Sequence, residues 1–191
     1  MICHKSEFSS FKLTVEKLKE KLVVILPTDT VYGFSAIVDD DSHTKEKIQK
    51  IKGRDDNKPF IQLISSADEI KKFTDTEIPQ ELLKYWPGPL TIIVEDKRYS
   101  TENNKITTAF RCPGDEWLRN VIKECGVPVY STSVNRTGCT VLTKEIEIVE
   151  EFEKETGLIV LDGDSKNSVP STIVKIEKNG YSVVRKGAVD L

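Results

Sequence analysis

The sequence predicts an α/β fold: one domain on a twisted mixed parallel and antiparallel sheet with flanking helices. Along most of the chain, apolar residues recur alternately with helical and with strand spacing. The last segment instead predicts two alternating strands around Asn179-Gly180, a dipeptide typical of a two-residue hairpin. The 191 residues contain no repeat, linker or low-complexity segment, so we predict a single domain over residues 1–191.

Six segments have helical periodicity, and the residues at their ends suit helix boundaries. In the first segment, Phe11, Val15 and Leu18 share one face, and two serines precede them as caps. Ser42 is the predicted cap of a helix that runs toward Lys52, and the motif SADE has the form of a capping box. The remaining helices are predicted in PQELLKYW, DEWLRNVIKEC and KEIEIVEEFEKET.

Short apolar runs and alternating segments between these helices predict the strands. They cover Leu22–Leu26, Gly33–Val38 and Phe60–Ile64, followed by LTIIVE, ITTAFRC, VPVYSTS and LIVLD. Several of these strands end in small hydroxyl or basic side chains. Ligands of open α/β sheets collect beyond the strand ends, so we expect a ligand site where those side chains meet.

Composition excludes several classes of protein. A content of 38% hydrophobic and 31% charged residues is ordinary for a soluble globular chain, and no apolar run could span a bilayer. The start of the chain has no signal-peptide pattern, so we predict a cytoplasmic protein without membrane contact. Four scattered cysteines and only two histidines argue against a disulfide framework, a zinc site or a His-based triad. The net charge of −3 argues against a generally basic surface for nucleic acid but permits a local patch.

Two polar clusters allow both a structural and a functional interpretation. The PTDT segment after an apolar strand is rich in turn residues, but it also carries two threonines and an aspartate to the mouth of a ligand site. The segment KGRDDNK places Lys52, Arg54 and Lys58 within seven residues. Alone, these cations suit the C-terminal end of a helix. Beside a hydroxyl-rich strand end, they would clamp a triphosphate.

Taken in order, the segments PTDTVYGF, KGR…KPF, WPGPLT, AFRCP, STSVNRTG, PSTIV and VVRKGA resemble the YrdC-like family. The resemblance covers Leu22 to Ala188, nearly the whole chain, and is much more specific than any single motif. It implies a short, single-domain member with a large concave, locally positive cavity. The family includes the L-threonylcarbamoyl-AMP synthases of tRNA modification.

The resemblance also implies an enzyme, a nucleotidyltransferase that acts on L-threonine, bicarbonate and ATP. N-carboxylated threonine attacks the α-phosphate of ATP, which yields threonylcarbamoyl-AMP and pyrophosphate. Mg²⁺ would be bound by the triphosphate, and partner proteins of tRNA modification would transfer the threonylcarbamoyl group to tRNA. Adenylyl transfer needs positioning and charge neutralisation more than a strong general base, which suits a site without histidine.

The motif residues of the family carry over one by one onto this sequence. The implied contacts to threonine are Thr30, Tyr32, Arg111, Ser133 and Ser171. The implied contacts to ATP are Arg54, Lys58, Thr107, Asn135, Thr143 and Arg185, and the implied catalytic pair at the phosphates is Lys52 and Arg54. Four positions depart from the family pattern. Asp55 replaces a frequent proline, Leu63 replaces a histidine that contacts substrate in some relatives, and Val134 and Leu142 replace a frequent alanine and proline.

Two other functions stay open on the sequence alone. A positive cavity could hold tRNA or double-stranded RNA, which would make the chain an RNA-binding module with salt-dependent affinity. The chain could also be a YciO-like paralogue that keeps the fold and acts on a different substrate. The joint presence of PTDTVYG, the Lys-x-Arg pair and STSVN favours the synthase.

Overall fold

Helices and strands alternate along most of the chain in the computed structural model, which describes residues 1–53, 60–165 and 169–191. Within these ranges the helices are α1 (Ser10–Lys19), α2 (Thr44–Lys52), α3 (Gln80–Leu83), α4 (Glu116–Cys125) and α5 (Glu145–Phe152). The strands are β1 (Ile2–His4), β2 (Val24–Leu26), β3 (Gly33–Ile37), β4 (Ile61–Leu63), β5 (Leu90–Glu95), β6 (Thr107–Arg111), β7 (Val129–Ser133), β8 (Leu158–Leu161), β9 (Thr172–Glu177) and β10 (Gly180–Arg185). Two 3₁₀ segments, Asp40–Ser42 and Ala67–Lys72, lie between these elements.

All of these strands belong to one sheet, in the order β1-β8-β2-β3-β7-β4-β6-β5-β9-β10. Four neighbouring pairs are parallel and five are antiparallel. The antiparallel hairpin of β9 and β10 forms one edge of the sheet. The predicted α/β fold on a mixed sheet is therefore confirmed.

Helices cover both faces of the sheet, so its central strands are buried from two sides. Along β2, Val24 and Leu26 pack with α1 and α4, whereas Ile25 between them packs with α2 and α5. Successive side chains of a strand point to opposite faces. We therefore call the two sides the α1 face and the α2 face. On the α2 face, Phe34 of β3 meets Phe152 of α5 edge to face, with ring centres 4.8 Å apart.

The predicted caps of three helices are wrong. Ser9 precedes α1 without a side-chain cap hydrogen bond, and Ser10 lies within α1 and donates to the carbonyl oxygen of Lys5. Ser42 does not cap α2, because it lies in a 3₁₀ segment that Asp39 caps, and α2 begins only after His43. His43 has a φ of 52°, so the chain changes direction between the two segments. The SADE motif opens a 3₁₀ segment without a side-chain cap, because Glu69 accepts hydrogen bonds from Ser65 instead.

The C-terminal hairpin turns one residue earlier than predicted. Gly180 pairs with Glu177, so Lys178 and Asn179 form the two-residue connection. Gly180 has a φ of 126°, a conformation that glycine adopts without strain. β1 is missed by sequence periodicity, because three residues are too few to show an alternating pattern.

Candidate active site

A cavity of about 310 Å³ lies beside the loop that joins β2 to β3. Its volume is at the lower end of the range usual for small-molecule sites. Hydroxyl groups and two guanidinium groups dominate its polar lining. The cavity brings together all five residues predicted to contact threonine and one predicted to contact ATP: Thr30, Tyr32, Arg111, Ser133, Ser171 and Arg185.

The cavity lies over the α1 face of the sheet, which the sequence analysis did not predict. Ser131 pairs with Ile61, and Ile61 pairs with Ala109, so these three side chains share a face. Ser133 and Arg111 each follow two residues later and therefore project from the same face. Ser133 and Arg111 lie on opposite sides of the row of paired residues that includes Ile61, because β7 is antiparallel to β4 and β6 is parallel to it. The expectation that the substrate residues meet beyond one end of the strands is therefore wrong.

Arg111, at the end of β6, is deeply buried in the cavity wall and is only 4% exposed. Its Nε donates to the carbonyl oxygen of Gly88 at 3.0 Å, and its Nη1 donates to Thr30 Oγ1 at 2.9 Å. Nη2 lies 2.6 Å from Asp29 Oδ1, but this ion pair lacks hydrogen-bond geometry, and Nη2 has no hydrogen-bond partner among the described residues. A buried donor without a partner is costly, which indicates a place for an anionic ligand.

Asp29 acts as the counter-ion of Arg111, although its PTDT context equally suited a turn aspartate. Gly114 leaves the space for this contact, because a Cβ at that position would lie 2.9 Å from Asp29 Oδ2. Gly114 was not among the predicted site residues, and Asp29 was placed at a ligand site in only one of the two interpretations of the PTDT segment. The available signals were an aspartate between two threonines and a glycine after the RCP motif, and neither signal shows which side chains meet.

Ser171 and Arg185 form another wall of the cavity. Arg185 Nη2 donates to the carbonyl oxygen of Ser171 at 2.7 Å and to its Oγ at 3.2 Å. Ser171 Oγ also lies 2.8 Å from Thr91 Oγ1. Although part of Arg185 faces solvent, burial of its guanidinium lowers its pKa, and the positive charge of Arg111 lowers it further. Two cations that repel each other at one cavity favour an anionic ligand between them.

Tyr32 is almost completely buried, and its hydroxyl is engaged by protein groups. It accepts a hydrogen bond from Asp162 N at 2.8 Å and donates to Gly163 O at 2.8 Å, with Glu145 Oε1 as an alternative acceptor at 3.2 Å. Burial raises the pKa of Tyr32 well above its ordinary value, and the charge of Glu145 adds to this effect. The tyrosine therefore anchors the loop after β8, and its predicted contact with threonine stays a prediction.

Tyr32→Phe should lower the free energy of unfolding by about 0.5–1.5 kcal/mol, because the part-buried hydrogen bonds of the Tyr32 hydroxyl with Asp162 N–H and Gly163 O are lost. Chemical denaturation of both proteins measures the difference. Tyr181→Phe is the control, since the Tyr181 hydroxyl has no hydrogen bond in the described part of the chain. Equal losses in the two variants would contradict an anchoring role for Tyr32.

Lys52 ends α2 and approaches the end of β7 from the α2 face, behind the cavity. Its Nζ donates to the carbonyl oxygen of Ser133 at 2.5 Å and to that of Asn135 at 3.0 Å. The same nitrogen lies 5.4 Å from the ring centre of Phe34. Lys52 thus supports the strand end that carries two predicted substrate contacts. Its own predicted contact with phosphates stays a prediction.

Three predicted contacts to ATP that the structure describes, Thr107, Asn135 and Thr143, are absent from the cavity lining. Thr107 is exposed at the start of β6, about 13 Å along the strand from Arg111. Thr143 precedes α5, and its carbonyl oxygen accepts a 2.8 Å hydrogen bond from a backbone N–H of the loop after β8. Outside the described residues lie Arg54, Asp55 and Lys58.

Two structural features concern residues 1–53, 60–165 and 169–191: long apolar helices and clusters of metal-ligating side chains. None of the helices in these ranges combines the length and apolar composition that crossing a membrane requires. In the same ranges, no three His, Cys, Asp or Glu side chains come together as a group that could hold a metal ion. Mg²⁺ carried by substrate phosphates needs few protein ligands, and its presence stays a prediction.

The fold and the cavity together define a class: an α/β protein whose hydroxyl-rich sheet face and two arginines suit a small anionic ligand. A family model for Sua5, YciO and YrdC proteins, described as "Telomere recombination", matches residues 16–187. The chain belongs to this Sua5/YciO/YrdC family, which confirms the resemblance inferred from the motifs.

Similar proteins come from archaea and bacteria. A Methanocaldococcus jannaschii protein, provisionally named threonylcarbamoyl-AMP synthase, is 32% identical over 94% of this chain and 88% of that protein. The crystal structure of Pyrococcus abyssi Sua5 complexed with L-threonine has a TM-score of 0.85 at 26% identity, over 98% of this chain and 57% of that one. Escherichia coli YciO has a TM-score of 0.83 at 22% identity, over 100% of this chain and 95% of that one, which shows the fold alone. The chain spans about half the length of the threonylcarbamoyl-AMP synthases of P. abyssi and Bacillus subtilis.

Proposed function

We propose that this chain is an L-threonylcarbamoyladenylate synthase, a nucleotidyltransferase of tRNA modification. The observation that carries the proposal is Arg111, a buried guanidinium on a cavity lined by hydroxyls, whose Nη2 is paired with Asp29 but has no hydrogen-bond partner among the described residues. Such a group suits the carboxylate of threonine, and the hydroxyls suit its polar side chain. The names of the relatives and the threonine complex of P. abyssi Sua5 support the same substrate.

In the proposed reaction, bicarbonate first carboxylates the amino group of threonine, with loss of water. An oxygen of the new carboxylate then bonds to the α-phosphorus of ATP. The bond from that phosphorus to the bridging oxygen breaks, so that pyrophosphate leaves and threonylcarbamoyl-AMP remains. Negative charge grows on the leaving group, and fixed cations stabilise it in the transition state. Mg²⁺ on the triphosphate would supply part of this positive charge.

Each site residue has a proposed task in this scheme. Arg111 pairs with the threonine carboxylate, while Arg185 faces the nucleotide. The proposed threonine contacts besides Arg111 are Thr30, Tyr32, Ser133 and Ser171. The proposed ATP contacts besides Arg185 are Arg54, Lys58, Thr107, Asn135 and Thr143, with Lys52 and Arg54 as the catalytic pair. Partner proteins that transfer the product to tRNA, and any contact of tRNA with the cavity, belong to the same proposal.

A pyrophosphate-release assay with ATP, Mg²⁺, bicarbonate and L-threonine tests the proposal. We expect release to depend on both threonine and bicarbonate, because the attacking carboxylate exists only after N-carboxylation. L-valine is the matched substrate control, since it replaces the hydroxyl by a methyl group, and it should react much more slowly. Equal release with threonine omitted would contradict the assignment and favour a paralogue with another substrate.

A further inference from the structure

Arg136 joins the end of α2 to the loop that follows β7. Its Nη1 donates a hydrogen bond to the carbonyl oxygen of Ile51, in the last turn of α2. Next to it, Thr137 N donates to the carbonyl oxygen of Lys52 at 2.8 Å. Carbonyl groups at the end of a helix have no partner within the helix, so the loop satisfies two of them. The loop therefore fixes where α2 ends.

Lys52 also connects α2 to this loop, but here the helix residue is the hydrogen-bond donor. Its Nζ reaches the carbonyl oxygens of Ser133 and Asn135, and it also donates to Asn135 Oδ1 at 3.2 Å. Ser133 Oγ donates to this same Oδ1 at 2.7 Å. The helix end and the loop thus hold each other. This contact couples the end of α2 to Ser133, which β3 also holds through the pairing of Ser133 with Gly33.

Helix α5 holds Arg136 in place. The Nε of Arg136 donates to Glu151 Oε1 at 2.9 Å, and its Nη2 forms an ion pair with Glu155. Its guanidinium also stacks on the ring of Phe152, 4.6 Å from the ring centre. Hydrogen bonding to Arg136 lowers the pKa of Glu155, which is consistent with a charged pair. Together with the bond to Ile51 O, these three contacts use the planar guanidinium in a way that a lysine ammonium could not.

We propose that Arg136 is a positioning residue of the site: it holds the end of α2 against the loop after β7, so that Lys52 keeps Ser133 and Asn135 in place. The inference rests on the proposed function, because Ser133 and Asn135 are the proposed contacts to threonine and ATP. Arg136 lies within the STSVNRTG motif, but the resemblance assigns it no role. Its own side chain is absent from the cavity lining.

Arg136→Gln tests this inference in the pyrophosphate assay. We expect kcat/KM to fall by up to about 10²-fold, since displacement of binding groups by roughly an ångström has such effects. The loss should appear mainly as higher KM values for threonine and ATP, because Ser133 and Asn135 are displaced and not removed. Arg136→Lys should restore only part of the rate.

Arg98→Gln is the matched control. Arg98 also forms an ion pair, here with the buried carboxylate of Asp96 at 2.6 Å, but it lies over Phe110 on the α2 face, away from the cavity. We expect this variant to melt at a lower temperature and to keep both KM values. An equal rise of KM in both variants, or unchanged KM values in Arg136→Gln, would overturn the positioning role.

Hydrogen exchange supplies a readout that does not depend on activity. The amide of Thr137, which donates to Lys52 O, should exchange faster in Arg136→Gln than in the unaltered protein or in Arg98→Gln. If the unaltered protein releases no threonine-dependent pyrophosphate, the proposed function fails, and the exchange rates alone decide the inference. Faster exchange confined to Arg136→Gln supports the positioning role of Arg136, and unchanged exchange overturns it.

Discussion

Arg111→Ala should reduce threonine-dependent pyrophosphate release by about 10²–10³-fold, the usual cost of losing one fixed charge-stabilising donor. The same variant should weaken threonine binding more than ATP binding, because a charge-assisted pair with Arg111 serves one carboxylate. The structural reason for this expectation is Nη2, which forms an ion pair with Asp29 but has no hydrogen-bond partner among the described residues. Calorimetric titrations with each ligand measure the two affinities separately.

Removing a buried guanidinium also leaves Asp29 without its counter-ion, so the fold needs its own control. Arg111→Lys keeps the charge but lacks the planar fork that reaches Gly88 and Thr30 together. It should fold and still bind threonine more weakly than the unaltered protein. A larger loss for ATP than for threonine in the folded variant would mean that the proposed ligand roles are wrong.

Lys52→Ala should lower both stability and activity, and the loss of activity should be of similar size to that for Arg111. Sequence reasoning alone predicts near-normal melting for this variant, as for any exposed cation at a helix end. The structure changes that expectation, because Lys52 is 4% exposed and bonds to Ser133 and Asn135. Leaving buried acceptors unsatisfied costs about 1–3 kcal/mol. Denaturation curves and pyrophosphate release on the same preparation measure both effects.

Lys50→Ala is the matched control on the same helix. Lys50 also lies in the last turn of α2 but is exposed, so it experiences the helix dipole without the buried contacts of Lys52. Its loss should cost no more than about 0.3–1 kcal/mol and should leave activity nearly intact. Equal changes in stability and in pyrophosphate release in the two variants would mean that Lys52 acts only as a cation at the helix end.

The fold class could be predicted from the sequence because the spacing of apolar residues within one segment indicates whether that segment forms a helix or a strand. The alternation of Val24, Ile25 and Leu26 between two faces required only that helices cover both sides of the strand. Patterns that depend on hydrogen-bond partners were less informative. The SADE motif suited a capping box, but the Glu69 carboxylate is used by Ser65, which no local pattern indicates.

The candidate site could be predicted as a set of residues, but its arrangement could not. The motifs identified the arginines and hydroxyls of the cavity, including Arg111 and Ser133. Their position on one sheet face follows from the register of β7, β4 and β6, which are distant in sequence. Likewise, the Tyr32 hydroxyl accepts a hydrogen bond from the backbone N–H of Asp162, 130 residues further along the chain. Such pairings arise only in the folded state.

The two ends of the chain contribute to one cavity, and this has a consequence for synthesis on the ribosome. Thr30 emerges early, whereas Ser171 and Arg185 belong to the final hairpin, where β9 docks alongside β5 through Leu90 and Thr172. A nascent chain that already contains Arg111 still has β5 as an open sheet edge, to which other chains can add. Pairing across such a long sequence separation is slow. The growing chain therefore exposes an unpaired strand edge until β9 pairs with β5, and the same pairing brings Ser171 and Arg185 to the wall of the cavity.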